Sequence, residues 1–571
     1  MLNKYKNLNL KNEVSHVKSW FSSHLDLKIY VIFSLISLIF LFYSIWKIRP
    51  VVVDVKDFLG LASHLSLEYW IGYILAVFFS IKLYLDKKIK KDIIYILYLI
   101  VIGLYLFGVP IFAEDNARFP WSYYPAGEVK TVMETKYVNL SSQYPVMTYR
   151  SWPALHLISA SILYLTDIKI ENVLKYFPLF WVFSVILITF SIGKRLRLLS
   201  NQSFLASFLI LASFWGPLYY YGPVSIAYLL YLLLFMFIVA FSKIIPNNYL
   251  AEVHRAILIS LTFITLIITH ILTPIMIISS FIFSSSFIQS LHKKRTIFII
   301  FFIILFTSWY LYLAQFMFET GVKEVIKQVS QPDIFGLFKT GKYSSVEIIT
   351  FSSHWIVRYS RLFYIGVYAI AMIVASTFYI TGRIKKDNKE LTKICFFWLI
   401  GIFILFVIKY GAEIDERIYL FSLVPMGYII TFTFDRKILT VLAILLILPH
   451  IPAHYGTESS DLIRTTELNG AKFFAEKTIF HIGESYFSMW DTFIDYYDPE
   501  KVKIYGRTLS IIEKPDPTKI DNSTYIINSN GSYNFLFYTF GFDPLKEWIQ
   551  FNQGKINQFY DNGFYQIFKI K

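Results

Sequence analysis

Apolar residues in this chain gather into runs, not stripes. Ile29–Trp46 and Ile297–Ala314 are almost unbroken in hydrophobicity, and each is close to the roughly 20 residues a helix needs to cross hydrocarbon. Similar runs recur, and the pattern predicts spans near residues 29–46, 69–85, 93–110, 173–193, 202–220, 224–242, 256–272, 275–291, 296–316, 361–381, 393–410, 417–434 and 438–451. So many runs exclude a single cleaved signal peptide. Met1–Lys28 is polar and lysine-bearing, without a short apolar core ending in small residues, so insertion through the chain's own first helix is expected. Residues 152–166 (WPALHLISASILYLT) are apolar but short, which predicts a re-entrant or surface-lying helix.

Basic residues give these spans a direction. With Met1–Lys28 inside, the clusters Lys82–Lys91, Lys194–Arg197, His292–Arg295, Arg383–Lys393 and Arg436–Lys437 all fall on the inner side, as the positive-inside rule requires. Thirteen spans then put the C-terminus outside. The expected organisation is a cytoplasmic segment 1–28, a transmembrane domain 29–451 with outer loops 111–150 and 317–360, and an extracytoplasmic region 452–571. That last region holds no spanning run. A helix near Glu467–Glu476, β-like stretches at Val502–Tyr505 and Thr524–Ile527, and turn signals at Asn469-Gly470, Asn530-Gly531 and Asp561-Asn562-Gly563 predict a small α/β domain. The fold class is a polytopic α-helical membrane protein of about 13 transmembrane helices with a C-terminal extracytoplasmic α/β domain.

Composition agrees. Of 571 residues, 56% are hydrophobic and 16% charged, against about a quarter charged in soluble domains. The net charge of +15 suggests nucleic acid until the lysines and arginines are located. Many sit in short clusters between apolar runs, where they fix topology, so nucleic acid is not an expected partner and membrane lipid is. The single cysteine, Cys395, lies in an apolar run, which excludes a disulfide framework and a Cys-x-x-Cys metal site. Abundant Tyr and Phe suit interface belts first and sugar-stacking surfaces second. The Ile-, Lys- and Tyr-rich composition with almost no Cys suits an archaeon or an AT-rich prokaryote.

Three outer segments hold the polar groups fit for chemistry. The first, Pro110–Arg118 (PIFAEDNAR), places Glu114 and Asp115 side by side at a membrane exit. A carboxylate partly screened from water there can take a proton from an acceptor hydroxyl or hold a metal, and it can equally cap a juxtamembrane helix. The second, Thr269–Pro274 (THILTP), breaks a long apolar stretch at Pro274. A histidine at that depth is costly unless it lines a polar cavity, so His270 either faces a phosphate or acceptor or bonds a carbonyl at the break. The third combines the loop 317–360 with Lys409–Arg417. Arg358 and Arg361 are spaced for one helical face, and arginine's fork suits a lipid phosphate, although interfacial anchoring is the commoner use. Lys409 and Arg417 crowd a short turn with Glu413, Asp415 and Glu416. No Walker loop, GxSxG or HExxH motif lies near these segments.

The order of these features resembles the GT-C superfamily of membrane glycosyltransferases, which includes protein O-mannosyltransferases, aminoarabinose transferases and the oligosaccharyltransferase catalytic subunit. The acidic pair after the third span is followed by Tyr144-Pro145, Tyr149–Pro153, the short helix, and a span ending in Gly193-Lys194-Arg195. The run Glu416-Arg417-Ile418-Tyr419 leading to Pro425 looks like the superfamily's arginine-led late span. The resemblance implies a polyprenyl- or dolichyl-phosphate-linked sugar donor and a protein, lipid or glycan acceptor. It implies Asp115 with Glu114 as catalytic carboxylates. Arg417, Arg358, Arg361, His270 and Lys409 would meet the donor phosphate, and Arg118, Tyr149 and Arg150 the acceptor or its loop. A divalent metal, Mg or Mn, is the candidate cofactor. Two features depart from the pattern: two extra spans precede the acidic loop, and the outer loops hold no Asp-x-Asp motif. The competing readings are a transporter or flippase of lipid-linked glycan, a glycan polymerase or ligase, and a non-catalytic scaffold. Sequons at Asn139, Asn522 and Asn530 are expected on the outer side.

Overall fold

A computed structural model describes residues 27–570 apart from 55, 58, 87, 139–149, 240–248, 288–294, 316–354, 385, 404–413, 457–460, 480–484, 489–490, 499–505, 509–523 and 530–543. Tyr149, Lys409, most of the loop 317–360, Val502–Tyr505, Asn530-Gly531 and the three sequon asparagines therefore lie outside the described residues.

The membrane region opens with α1 (Leu27–Ile48) and α2 (Leu67–Leu85), then α3 (Asp92–Ala113), which carries a π-helical turn at Leu104–Gly108. A polar connection holds α4 (Tyr123–Thr135) and leads to the short α5 (Ala154–Thr166). There follow α6 (Ile170–Arg195), α7 (Ser200–Ala212), α8 (Pro223–Val239), α9 (Tyr249–Ile267), α10 (Leu272–Ser285) and α11 (Arg295–Leu313). The remainder are α12 (Trp355–Ile380), α13 (Lys386–Phe403), α14 (Ile414–Thr433) and α15 (Arg436–Tyr455). A helix satisfies its own backbone, which lipid cannot do, so unbroken apolar runs become helices.

Among the described residues seven helices (α1, α2, α3, α6, α11, α12 and α15) are long and apolar enough to cross a membrane. Four apolar helices, α5, α7, α8 and α10, are shorter. The chain is thus built as a multi-pass membrane protein, with α3 at the centre and α11 at the edge. The apolar window of α3 is 78% buried within the chain, whereas that of α11 is 11% buried and leaves Ile297, Ile300 and Ile304 for lipid.

The run expected to span at 202–220 is not one helix. It is α7, 13 residues long and so roughly 20 Å, followed by the irregular segment Ser213–Gly222, most of which is buried. Gly216, Pro217 and Gly222 favour this break, and irregular backbone at membrane depth persists only where protein covers it. The break at Thr269–Pro274 is present, but three residues earlier than Pro274 implies. Helix α9 stops at Ile267, and Pro274 sits in the first turn of α10, where its missing N–H costs nothing.

The two ends of the bundle differ. At one end Arg436 and Asn201 both donate to the Tyr84 carbonyl, and Lys194 pairs with Asp92 at 3.2 Å, so basic residues of three clusters, around Lys82–Lys91, Lys194 and Arg436, meet there. The other end bears the C-terminal domain: Phe119 N–H donates to the Asp461 carbonyl at 3.0 Å and Asn116 to the Ile463 carbonyl. That domain contains α16 (Thr465–Lys477), β1 (Ser485–Ser488), α17 (Asp491–Tyr497), β2 (Gly506–Thr508), β3 (Thr524–Ser529), α18 (Pro544–Phe551), β4 (Ile556–Asp561) and β5 (Tyr565–Ile570). Its sheet has the order β2-β1-β3-β5-β4, with β1 parallel to β2 and β3, and β5 antiparallel to β3 and β4.

The Asp561-Asn562-Gly563 signal makes the β4–β5 turn, with Gly563 at φ 86°. Asn469-Gly470 is no turn. It lies within α16, where a Cβ on Gly470 would stand 2.4 Å from the Tyr565 ring, so this glycine serves helix-on-sheet contact.

Helices α10 and α13 also meet backbone to backbone: a Cβ on Gly401 would stand 2.1 Å from Ser280 Cα. Small residues permit such close approach in membranes, and overfilling it costs about 1–3 kcal/mol. Gly401→Val is expected to lower the unfolding temperature in detergent, measured by intrinsic fluorescence. Gly366→Ala, whose Cβ would meet nothing within 4 Å, is expected to leave it unchanged.

Candidate functional site

The break after α7 delivers Trp215 and Tyr219 to the domain-bearing end of the bundle. Both are buried there beside His454, which the last turn of α15 supplies. A chain of hydrogen bonds fixes the ring. His454 Nδ1 lies 3.0 Å from the Trp215 carbonyl, which only accepts, so Nδ1 carries the proton. Nε2 then accepts from the Tyr219 hydroxyl at 3.0 Å, and Tyr219 accepts from Arg118 Nη1 at 2.5 Å.

Arg118 comes from the Pro110–Arg118 segment. It is buried, reaches Asp461 at 3.4 Å, and lies 4.8 Å from the Phe119 ring centroid and 5.8 Å from that of Tyr455. Phe119 itself has φ 70°, a left-handed conformation that costs a non-glycine residue about 1–3 kcal/mol. The bond from its N–H to Asp461 and its packing beneath the guanidinium hold it there. Strain of this kind points to a segment whose shape is fixed by function.

Arg361 approaches from α12. It is buried, donates from Nε to the Ala453 carbonyl at 3.0 Å, and lies 4.8 Å from the Trp215 ring centroid. Arg118 and Arg361 both act electrostatically on His454, so the two guanidinium groups share one locality. On the other side of Trp215, Tyr419 stacks at 5.4 Å and Glu416 packs against Gly216, whose Cβ would stand 2.2 Å from Oε1. Arg417 follows on α14, close enough to His270 to bear on its charge. His270 Nδ1 accepts from the Thr273 hydroxyl at 2.9 Å and from the Thr273 N–H at 3.3 Å, leaving Nε2 as the donor. Arg118 and Arg361 thus meet at the Ser213–Gly222 segment, and Arg417, with His270 near it, extends the arc along α14 beside Glu416 and Tyr419, which do touch that segment. Arg358 does not join it: one turn nearer the start of α12 than Arg361, it is exposed.

The carboxylates separate as well. Glu114 is buried, with Tyr123 and Lys175 within electrostatic range. Asp115 is exposed, pairs with Arg49 at 3.0 Å, and its carbonyl accepts from Lys175 at 3.2 Å. Arg150 is occupied differently: its Nε bonds Glu128 at 2.7 Å in an ion pair with both side chains buried. Helix α4, which carries Glu128, is clasped by the C-terminal domain. Tyr123 packs edge-on against Phe493 and Tyr496, and the Lys130 amine lies 3.3 Å from the Tyr496 centroid. Burial there pulls the Lys130 amine below its ordinary value, opposed by Glu171, and pushes the Tyr497 hydroxyl up to about 12. Among the described residues no group of three or more His, Cys, Asp or Glu side chains is placed to hold a metal.

Sequence reasoning missed Trp215, Tyr219, His454, Asp461 and Glu128, and it named Glu416 only as a neighbour of Arg417. One signal was present: His450 and His454 stand four apart in an apolar run, and titratable groups at membrane depth mark polar sites.

The buried pair generates a stability test. Removing one partner strands the other charge and costs about 3–5 kcal/mol, whereas replacing both with apolar groups is often near neutral. Arg150→Met is expected to lower the thermal midpoint in detergent sharply, and Glu128→Leu combined with Arg150→Met to recover most of the loss.

No family model matches the chain, and no curated protein matches it in sequence. Among solved structures it is similar to the crystal structure of ArnT from Cupriavidus metallidurans bound to undecaprenyl phosphate. The identity is 9% and the TM-score 0.47, over 83% of this chain and 97% of that one. Likeness at that level carries no weight for activity, which rests on the residues described above.

Proposed function

We propose that this protein is a GT-C-type glycosyltransferase that moves a sugar from a polyprenyl-phosphate-linked donor to an acceptor on the outer face of the membrane. The observation that carries the reading is the arc of Arg118, Arg361 and Arg417 at the end of an apolar bundle, with the Glu114–Asp115 pair on the same end. Buried guanidinium groups cost several kcal/mol unless anions or dipoles compensate them, and their planar fork matches a phosphate. Apolar surface on α11 and α12 gives a lipid tail somewhere to lie, and lateral diffusion brings it there. The basic clusters at the opposite end support an outward-facing site under the positive-inside rule.

In this mechanism the donor phosphate lies against Arg361 and Arg417, with Arg118 behind Tyr219. An acceptor hydroxyl or amide attacks the anomeric carbon. The new glycosidic bond forms as the bond from that carbon to the phosphate oxygen breaks, and the phosphate leaves with the electron pair. The acceptor's proton passes to the buried Glu114 carboxylate, while exposed Asp115 holds Arg49 and the loop. Charge growing on the departing phosphate meets fixed guanidinium donors, the arrangement that contributes most to catalysis.

Two experiments test this. In proteoliposomes with a lipid-linked donor, Arg361→Ala, Arg417→Ala and Glu114→Gln are each expected to lower transfer at least about 100-fold, the usual cost of one such contact. Asp115→Asn and Arg358→Ala are expected to do far less. Full activity in Arg361→Ala and Glu114→Gln overturns the site, and uptake of lipid-linked glycan without transfer favours a flippase. For orientation, Gln558→Cys is expected to react with an impermeant maleimide in intact cells and Lys88→Cys only after lysis. Cys395 is buried, which keeps the background low.

A further inference from the structure

The C-terminal domain holds a cleft of 640 Å³ between α18 and the face of the sheet turned away from α16. Small-molecule sites fall in a range of roughly 300–1,000 Å³. Strand register puts amides on this face: Asn528 pairs with Gln566, and Gln558 with Phe568 two residues further along β5. Residues on the alternate face, Ile527 and Ile567, are buried, as is Tyr565, against which Gly470 of α16 packs. Helix α18 closes the other wall with Gln550 and Lys546.

The amides are fixed in place. Asp561 Oδ2 accepts from Gln558 Nε2 at 2.7 Å and from Gln566 Nε2 at 2.9 Å. Gln566 Oε1 in turn accepts from Asn528 Nδ2 at 3.3 Å. These bonds set the orientation of all three carboxamides. The Gln566 amide first, then the Gly563 N–H, hold the Asp561 carboxyl below its ordinary range, so the anchor stays an acceptor at neutral pH. At the end of the chain Asn528 Oδ1 is buried with no hydrogen-bond partner among the described residues. An acceptor so placed is destabilising unless a donor arrives. Phe564, whose ring carries Arg464 at 4.6 Å, adds a partly exposed aromatic to the lining.

We infer that this cleft binds a saccharide. Each sugar hydroxyl both donates and accepts, and carboxamides offer the matching pair. An aromatic edge takes the apolar C–H patches, and amide pairs held rigid lose little entropy on binding. A phosphate or nucleic acid fits less well, since the lining offers one lysine among uncharged amides. The inference stands on the cleft's own residues and does not depend on the transfer reaction, because binding is read without donor lipid.

The test uses the full chain in phospholipid nanodiscs, which avoids sugar-headed detergents. Maltotriose, mannotriose and chitotriose are added one at a time and followed by saturation-transfer NMR. At least one is expected to bind with a Kd of about 1 mM. Gln566→Leu and Gln550→Leu are expected to weaken binding at least ten-fold, and Asn557→Leu on the opposite face to leave it unchanged. Gln550 is exposed on α18, so its replacement tests the cleft without disturbing the sheet. No binding of any trisaccharide up to about 10 mM, or equal binding by both cleft variants, overturns the proposal.

Discussion

A guanidinium group cannot give up its charge, and moving one out of water into a helical bundle costs several kcal/mol after relaxation. Arg118 and Arg361 are both buried in this way at the same end of the chain. Much of the surrounding architecture supplies what they need. Tyr219, Asp461, the Ala453 carbonyl and the rings of Trp215, Phe119 and Tyr455 each face one of them. Only Ala453 and Tyr455 come from a helix long enough to span, the last turn of α15; the others come from irregular or connecting segments. Trp215 and Tyr219 require the break after α7, Phe119 requires a left-handed turn, and Ala453 requires α15 to run to the edge of the C-terminal domain.

That last requirement couples the site to the C-terminal domain. Asp461 bonds Arg118 through its side chain and Phe119 through its carbonyl, so the connection leaving the membrane also forms one wall of the arginine arc. Helix α17 of the same domain clasps α4, whose Glu128 holds Arg150. The carboxylate segment, the arc and the domain therefore behave as one assembly, with the basic end of the bundle apart from it. A saccharide held in the amide cleft would bind to a domain that touches the candidate site through Asp461 and α17.

Features set by local pattern were legible in the sequence. Long apolar runs became helices, the Asp561-Asn562-Gly563 signal became the β4–β5 turn, and Thr524–Ile527 became part of β3. The apolar break at His270 is present too, with Arg417 beside it. Features set by long-range contact were hidden. Asn469-Gly470 reads locally as a turn, but the glycine is there for Tyr565 across the domain interior. The 202–220 run reads as a span because hydropathy does not register that Ser213–Gly222 is covered by protein. Asp115 and Glu114 are adjacent in sequence, yet one meets Arg49 at the surface and the other is buried. Arg358 and Arg361 divide in the same way: Arg361 is covered by Trp215 and the Ala453 carbonyl, while Arg358, in the first turn of α12, is exposed.

The central claim is that a lipid phosphate is held by the arginine arc, in which Arg118 and Arg361 are buried and Arg417 half-buried. A cryo-electron microscopy structure of the full chain in nanodiscs, saturated with a polyprenyl phosphate, tests it most directly. The account predicts phosphate density within hydrogen-bonding distance of Arg361 and Arg417, with the prenyl tail leaving along the outer surface of the bundle. Phosphate density confined to the basic end, beside Lys194 and Arg436, would contradict it.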